Sequence, residues 1–340
     1  MKNGGEIDFV IIWVDGSDPE WLAEKAKYAP PADTDSRPER YRDWGLLPYW
    51  FRGVEKFAPW VRKVHFVTWG HIPKWLNTSH PKLNIVRHED YIPEKYLPTF
   101  SSHTIELNLH RIKGLSESFV YFNDDMFITT PVSERDFFKK GLPCDSAVLT
   151  VHCVERGAKG ELVQQVSLND VSIINSDFDV HETFMAAPLK WLAPAYGAKL
   201  LRQIPLLFCS GFSGFYQIHL PDSFKKSTFE ELWERESDIL DKTCMNKFRC
   251  GSDVNQWLMR QWQLAKNEFC PRSISAGKAF SPDRYGKEEF VRAAQYISRQ
   301  KGKMICINDG ILTEKEFGYY SDMIRNAFDS ILPDRSSFEV

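Results

Sequence analysis

The sequence predicts an α/β protein, with a Rossmann-like, mainly parallel sheet and a helical C-terminal portion that completes the site. Short β-branched apolar runs recur along the first part of the chain, separated by segments long enough to hold helices, the alternation that builds parallel sheets. Beyond about residue 155 the apolar residues return at helical spacing instead. That change divides the chain into an α/β portion, 1–155, and a mostly helical portion, 156–340, read together as one integrated domain.

The first run, Ile7-Asp8-Phe9-Val10-Ile11-Ile12-Trp13-Val14, is almost wholly apolar and suits a central strand covered on both faces. It stops at Asp15-Gly16-Ser17-Asp18-Pro19, a turn composition. The aromatic block from Trp44 to Trp60, with Tyr49, Trp50, Phe51 and Phe57, fits a helix packed on the sheet. Further strands are expected at Val64–Trp69, Leu83–Val86 and Phe119–Phe122. Before the last of these, Ser101-Ser102 can cap a helix that carries Ile105, Leu109 and Ile112 and stops at Gly114. It delivers the chain into the strand that ends at Asn123-Asp124-Asp125.

Gly157-Ala158-Lys159-Gly160 reads as a loop, and Asp179 to Lys199 as helix interrupted by Pro188 and Pro194. Ser227–Leu240 and Val254–Lys266 carry large apolar residues at helical spacing, and the loop between them holds Phe248-Arg249-Cys250-Gly251-Ser252-Asp253. A final strand, Met304-Ile305-Cys306-Ile307, runs into Asn308-Asp309-Gly310.

The 340 residues are 43% hydrophobic and 14% aromatic, enough for a substantial core. A net charge of -3 excludes the basic excess of a general nucleic-acid binder, so an anionic substrate must be met by a local cluster. No run approaches the roughly 20 apolar residues of a membrane span, and Met1-Lys2-Asn3-Gly4-Gly5-Glu6 leads into a strand, so a cytoplasmic location is expected. Seven cysteines, odd in number and without CxxC spacing, read as reduced and mostly buried thiols.

In open α/β sheets ligands lie beyond the carboxyl ends of the strands, where both Asp15-Gly16-Ser17-Asp18 and Asn123-Asp124-Asp125 fall. Paired carboxylates there suit Mg²⁺ or Mn²⁺ on a diphosphate, although the same residues also make turns and helix caps. His219, just before a helix, can take a proton or contact an anionic oxygen; a structural imidazole is the plain alternative. Arg249 can grip a phosphate through its fork, or pair with Asp253. The chain has no GxxxxGK[ST], no GxGxxG after the first strand, no GxSxG and no HExxH, which removes the P-loop, dehydrogenase, hydrolase and zincin classes.

Four blocks in order resemble the Stealth family, which includes bacterial capsular polysaccharide phosphotransferases and the eukaryotic N-acetylglucosamine-1-phosphotransferase that tags lysosomal enzymes. They are Ile7 to Pro19; Arg40-Tyr41-Arg42-Asp43 through Val64-His65-Phe66-Val67-Thr68 to Tyr121-Phe122-Asn123-Asp124-Asp125-Met126-Phe127; Ile218-His219-Leu220-Pro221 with Lys242-Thr243-Cys244 and Lys247 to Val254; and Lys303 to Asp309. The resemblance implies a glycosyltransferase-A-like fold and transfer of hexose-1-phosphate from a UDP-sugar to a glycan or lipid-linked glycan hydroxyl. It implies Asp125, His219 and Arg249 as catalytic residues, Asp15, Gly16, Asp18, Asn123 and Asp253 as substrate contacts, and Asp124, Asn308 and Asp309 as holders of Mg²⁺ or Mn²⁺. No nucleic acid is expected, and association with a membrane polysaccharide-assembly complex is. A glycosyltransferase releasing UDP and a non-catalytic glycan-binding module, served by the eleven tryptophans, are the rival readings.

Overall fold

The structure is a computed structural model that describes residues 5–28, 41–153 and 162–340, with the backbone alone of 34–35. The opening Met1–Gly4, Arg40 and the Gly157-Ala158-Lys159-Gly160 loop lie outside the described residues.

The expected mainly parallel sheet is present. Strands β1 (Ile7–Ile12), β2 (Val64–Thr68), β3 (Leu83–Arg87) and β4 (Ser118–Phe122) run parallel in the order β3-β2-β1-β4. That order reverses direction between β1 and β4, the position at which open α/β sheets bind ligands. A three-residue strand, β5 (Met126–Ile128), follows β4 immediately. The far edge of the sheet is then closed from the second half of the chain by β6 (Asp222–Lys225), antiparallel to β4.

Alternation along β1 explains why the sheet is covered on both faces. Ile7, Phe9 and Ile11 join one apolar cluster and Val10 the other, as expected when successive side chains point to opposite sides. The exception is Asp8, fully buried near the start of the strand, where Arg62, His65 and the Ser116 N–H all bond its carboxylate. A second small sheet pairs β7 (Gly277–Phe280) in parallel with β8 (Met304–Ile307), which in turn runs antiparallel to β5.

Helix α1 (Pro19–Ala26) starts at Asp18, whose carboxylate accepts the Trp21 N–H at 2.8 Å. Helix α2 (Leu47–Phe57) buries Leu47, Trp50, Phe51 and Val54, the i, i+3, i+4, i+7 stripe that packs it on β5 and the sheet. The aromatic block is therefore core, as its spacing indicates. Helix α3 (Ser102–Leu107) is shorter than expected, passing into a single 3-10 turn at Leu109–Arg111 before Gly114, and its Ser101 makes no side-chain cap.

The second half is mostly helical, with α4 (Val163–Asp177) and α5 (Val180–Ala186) leading into a broken stretch. Pro188 and Pro194 each open a new short element, Pro188–Trp191 and Pro194–Tyr196, because a ring without an N–H is tolerated at a first turn and not inside one. Two helices, α6 (Lys226–Arg235) and α7 (Ser237–Met245), replace the single expected span, and α8 (Gln256–Ala265) packs against α4. Helix α9 (Glu288–Ser298) joins β7 to β8 and packs on α10 (Glu314–Asp329), which begins with a Thr313/Glu316 capping box. All seven cysteines are free thiols; Cys144, Cys244 and Cys306 are buried, Cys250 and Cys270 half-buried, and Cys153 and Cys209 exposed.

Candidate active site

Two antiparallel pairings build the site. Tyr121 of β4 pairs with Asp222 of β6, so the residues entering β6 lie where β4 leaves the sheet, and His219 meets Asn123 across 96 positions of sequence. Cys306 of β8 pairs with Met126 of β5, and the Ile307 N–H reaches the Asp125 carbonyl at 3.0 Å, so Asn308 arrives at the same place.

The histidine is held from both sides. Asn123 Nδ2 donates to His219 Nε2 at 3.0 Å, and His219 Nδ1 bonds Asn308 Oδ1 at 2.9 Å. The Tyr121 hydroxyl lies between Asn123 Oδ1 and Glu106 Oε1, the latter at 2.9 Å, while Asn308 Nδ2 donates to Ser281 Oγ at 2.8 Å. Each amide is thus anchored by a second partner, and together the two fix the plane and position of the imidazole. Asp125 Oδ2 is 3.8 Å from His219 Nδ1. Its other oxygen, Oδ1, is buried with no hydrogen-bond partner among the described residues.

Cys306 completes the cluster. Its Sγ is 3.3 Å from Asp125 Oδ2, 3.2 Å from His219 Nδ1 and 3.4 Å from Asn308 Oδ1. Burial first, then the Asp125 charge, pushes the thiol well above its usual range, so it donates to the carboxylate as S–H. Next to it Asp124 is exposed, and desolvation followed by the Asp125 and Asp43 charges raises its carboxyl above the usual range. Asp43 is itself raised by burial and by Asp15, so four acids face a common region. Arg249 opposes them: its charge lowers Asp124, and its guanidinium donates to Ser102 Oγ at 2.7 Å.

Several expected site residues have other duties. Asp253 is fully buried and accepts from the Cys250 N–H at 2.8 Å, Asn246 Nδ2 at 2.7 Å and His103 at 2.8 Å, so it shapes the loop that carries Arg249 and does not pair with that arginine. Gly16 is required by the chain itself, since a Cβ there would stand 1.9 Å from the Tyr41 carbonyl oxygen. Asp18 caps α1, and Asp15 accepts from Ser17 Oγ at 2.6 Å while its own N–H donates to His71. Asn308 orients the histidine, and Asp309 pairs with Arg42 at 3.5 Å and accepts the Gly310 N–H at 2.6 Å. Asn123 likewise faces His219. The sequence reading passed over Cys306, Tyr121 and Glu106 as site residues; a thiol, a phenol and a lone glutamate in apolar segments give no periodic signal.

For a divalent cation the donor set is mixed. Ligand atoms of Asp125, His219 and Cys306 lie within 4.8 Å of one another. The orphaned Asp125 Oδ1 and the neighbouring Asp124 carboxyl supply the hard oxygens that Mg²⁺ or Mn²⁺ takes, whereas a neutral thiol is a poor ligand for either.

An open α/β sheet with a carboxylate–imidazole pair and an opposed arginine at its switch point has the architecture of a group-transfer enzyme. Models of the Stealth family match the chain, conserved region 1 over residues 5–30 and conserved region 2 over residues 40–144. A capsular polysaccharide phosphotransferase, WcwK, of Streptococcus pneumoniae is 42% identical over 100% of this chain and 99% of its own. A receptor polysaccharide phosphotransferase, WefC, of Streptococcus oralis is 41% identical over 98% and 99%, and an exopolysaccharide phosphotransferase of Lactiplantibacillus plantarum 39% identical over 98% and 96%. The chain belongs to the Stealth family and is a phosphotransferase. Among solved structures, a galactosyltransferase, LgtC, in complex with donor and acceptor sugar analogues aligns over 95% of this chain and 96% of its own at 8% identity and a TM-score of 0.41.

Proposed function

We propose that the protein transfers a hexose-1-phosphate, N-acetylglucosamine-1-phosphate in the first instance, from a UDP-sugar to a hydroxyl of a glycan or lipid-linked glycan, forming a phosphodiester in a capsular or cell-surface polysaccharide. The acceptor oxygen bonds to the sugar-bearing phosphorus, the bond from that phosphorus to the bridging oxygen breaks, and UMP leaves. The observation that carries the reading is the meeting of Asp125, whose Oδ1 has no hydrogen-bond partner among the described residues, with an imidazole fixed by Asn123 and Asn308, and with Arg249 near enough for its charge to lower Asp124.

Such a reaction needs alignment and charge neutralisation more than a covalent intermediate. Asp125 takes the acceptor proton, because its Oδ1 is unengaged while both nitrogens of His219 are bonded. His219, fixed by Asn123 and Asn308, stands 3.8 Å from the Asp125 carboxylate and lines the acceptor's approach to it. Arg249, whose charge reaches Asp124, neutralises the transferring phosphate. Asp124, beside the base, would hold Mg²⁺ or Mn²⁺, which when bound offsets diphosphate charge.

Purified protein incubated with UDP-N-acetylglucosamine, Mg²⁺ or Mn²⁺ and candidate glycans should release UMP and give a phosphodiester signal by phosphorus NMR. Asp125→Asn should lower the turnover by roughly 10²–10⁴-fold, the range for loss of a general base. Release of UDP with a glycosidic product would replace this reading with a glycosyltransferase.

A further inference from the structure

The chain from Thr183 to Pro221 contains no Asp or Glu, although the protein as a whole has 46 of them. Over the same stretch it carries Lys190, Lys199 and Arg202. A protein with net charge -3 thus concentrates a positive, acid-free segment in one place.

That segment is also where apolar side chains face water. Met185 is 66% exposed, Leu189 87%, Leu201 77%, Ile204 45% and Phe208 65%. They stand on elements that touch one another: α5 packs on the turn Ile204–Phe208, with the His181 ring 5.7 Å from that of Phe208, and on Pro188–Trp191, while Lys199–Gln203 packs on the same turn. Beneath them Trp191, Tyr196 and Leu207 are fully buried, so the elements have a core of their own and their outward apolar residues are surplus to it. Scattered single apolar residues are ordinary on a surface; five large ones on adjoining short helices are not.

We infer that this surface docks the protein on a bilayer containing anionic lipid. Apolar side chains on short helices enter the headgroup boundary, and flanking cations meet the negative surface, the pattern of an interfacial attachment. Among the described residues no helix is long and apolar enough to cross a membrane, so the contact is with one leaflet. Charge separates a lipid occupant from a protein one: Lys190, Lys199 and Arg202 against the single acid of these helices, Glu182 of α5, fit a continuous negative surface of no particular shape. A bilayer is also where a lipid-linked acceptor of the proposed reaction would be presented, so the inference rests on that reading for its role and on this surface alone for the contact.

Flotation of the full chain with vesicles of phosphatidylcholine alone, and of phosphatidylcholine mixed with phosphatidylglycerol, tests this without any sugar donor, so its outcome is separate from that of the phosphotransfer assay. The protein should float with the mixed vesicles, less with the neutral ones, and less again at high salt. Combined Leu189→Ser, Leu201→Ser and Phe208→Ser should lower partitioning roughly tenfold or more with an unchanged circular dichroism spectrum. Lys199→Glu with Arg202→Glu should remove the preference for the anionic vesicles. Absence of wild-type binding to the mixed vesicles overturns the inference, as does a serine variant that binds as well as wild type. A wild-type protein that self-associates through this surface, becomes monomeric in the serine variant and ignores vesicles would assign the surface to a second copy of the chain instead.

Discussion

At Cys306 a soft, nucleophilic atom lies against the carboxylate and imidazole that the chemistry uses, yet it is held inert. Burial and the Asp125 charge both disfavour the thiolate, which is the reactive form. In native protein a thiol reagent should therefore modify Cys153 and Cys209 first and leave Cys306, Cys144 and Cys244 until denaturant is added, an order readable by intact-mass spectrometry with peptide mapping. Rapid loss of activity through Cys306 labelling in native conditions would contradict the protonated, enclosed thiol. The same scale shows what sequence can and cannot place. Asp125, His219 and Arg249 come from ordered blocks, and the structure puts the first two 3.8 Å apart and the third near enough to lower Asp124. That Asp253 is buried against His103, or that Gly16 answers to the Tyr41 backbone, depends on neighbours 150 and 25 positions away, which no local pattern encodes.

Among the elements, β6 and α8 place the histidine. Arg260 of α8 is buried, bonding Asp145 at 2.7 Å, the Ser146 carbonyl at 3.1 Å and Gln217 Oε1 at 3.0 Å, with Asp222 of β6 at 3.9 Å. It ties the strand entry to the segment that carries His219. Burial pushes Asp222 up, and Asp145 makes the shorter ion pair with the guanidinium. Arg260→Leu should cost about 3–5 kcal/mol in urea unfolding, because it leaves buried carboxyls without their cation, and adding Asp145→Leu should recover a good part of that loss. Equal stability of the single variant and wild type would remove the clamp. Strand and helix positions were legible from apolar runs and helical spacing, down to the two prolines that open new turns. The antiparallel direction of β6 was not, since a four-residue strand, Asp-Ser-Phe-Lys, carries no pattern distinguishing it from a helix entry. That direction is what brings His219 to Asn123.

Across the whole molecule, stability should depend on two histidines to which the reaction gives no role. His88 and His110 are buried, and desolvation lowers each to about 3, with the Arg111 charge adding to the effect at His110. Between that value and the ordinary 6.5, the unfolded chain binds protons that the folded one refuses. Stability is thus complete above the ordinary value and declines as pH falls below it, by about 1.4 kcal/mol per pH unit for each histidine. Urea midpoints measured downward from neutral pH should follow that slope, and His110→Phe should make it shallower; a midpoint unchanged between neutral and pH 5 would refute the assignment.

The fold also sets a timetable. Asp125 belongs to the first half of the chain, but Cys306 and Asn308 reach it only when β8 has been made and has paired with β5. During synthesis on the ribosome, the sheet that carries the acids exists long before its histidine is oriented. A nascent chain can therefore fold most of its core while unable to consume an activated sugar, and the capacity for turnover arises late, in one step, with its last strand.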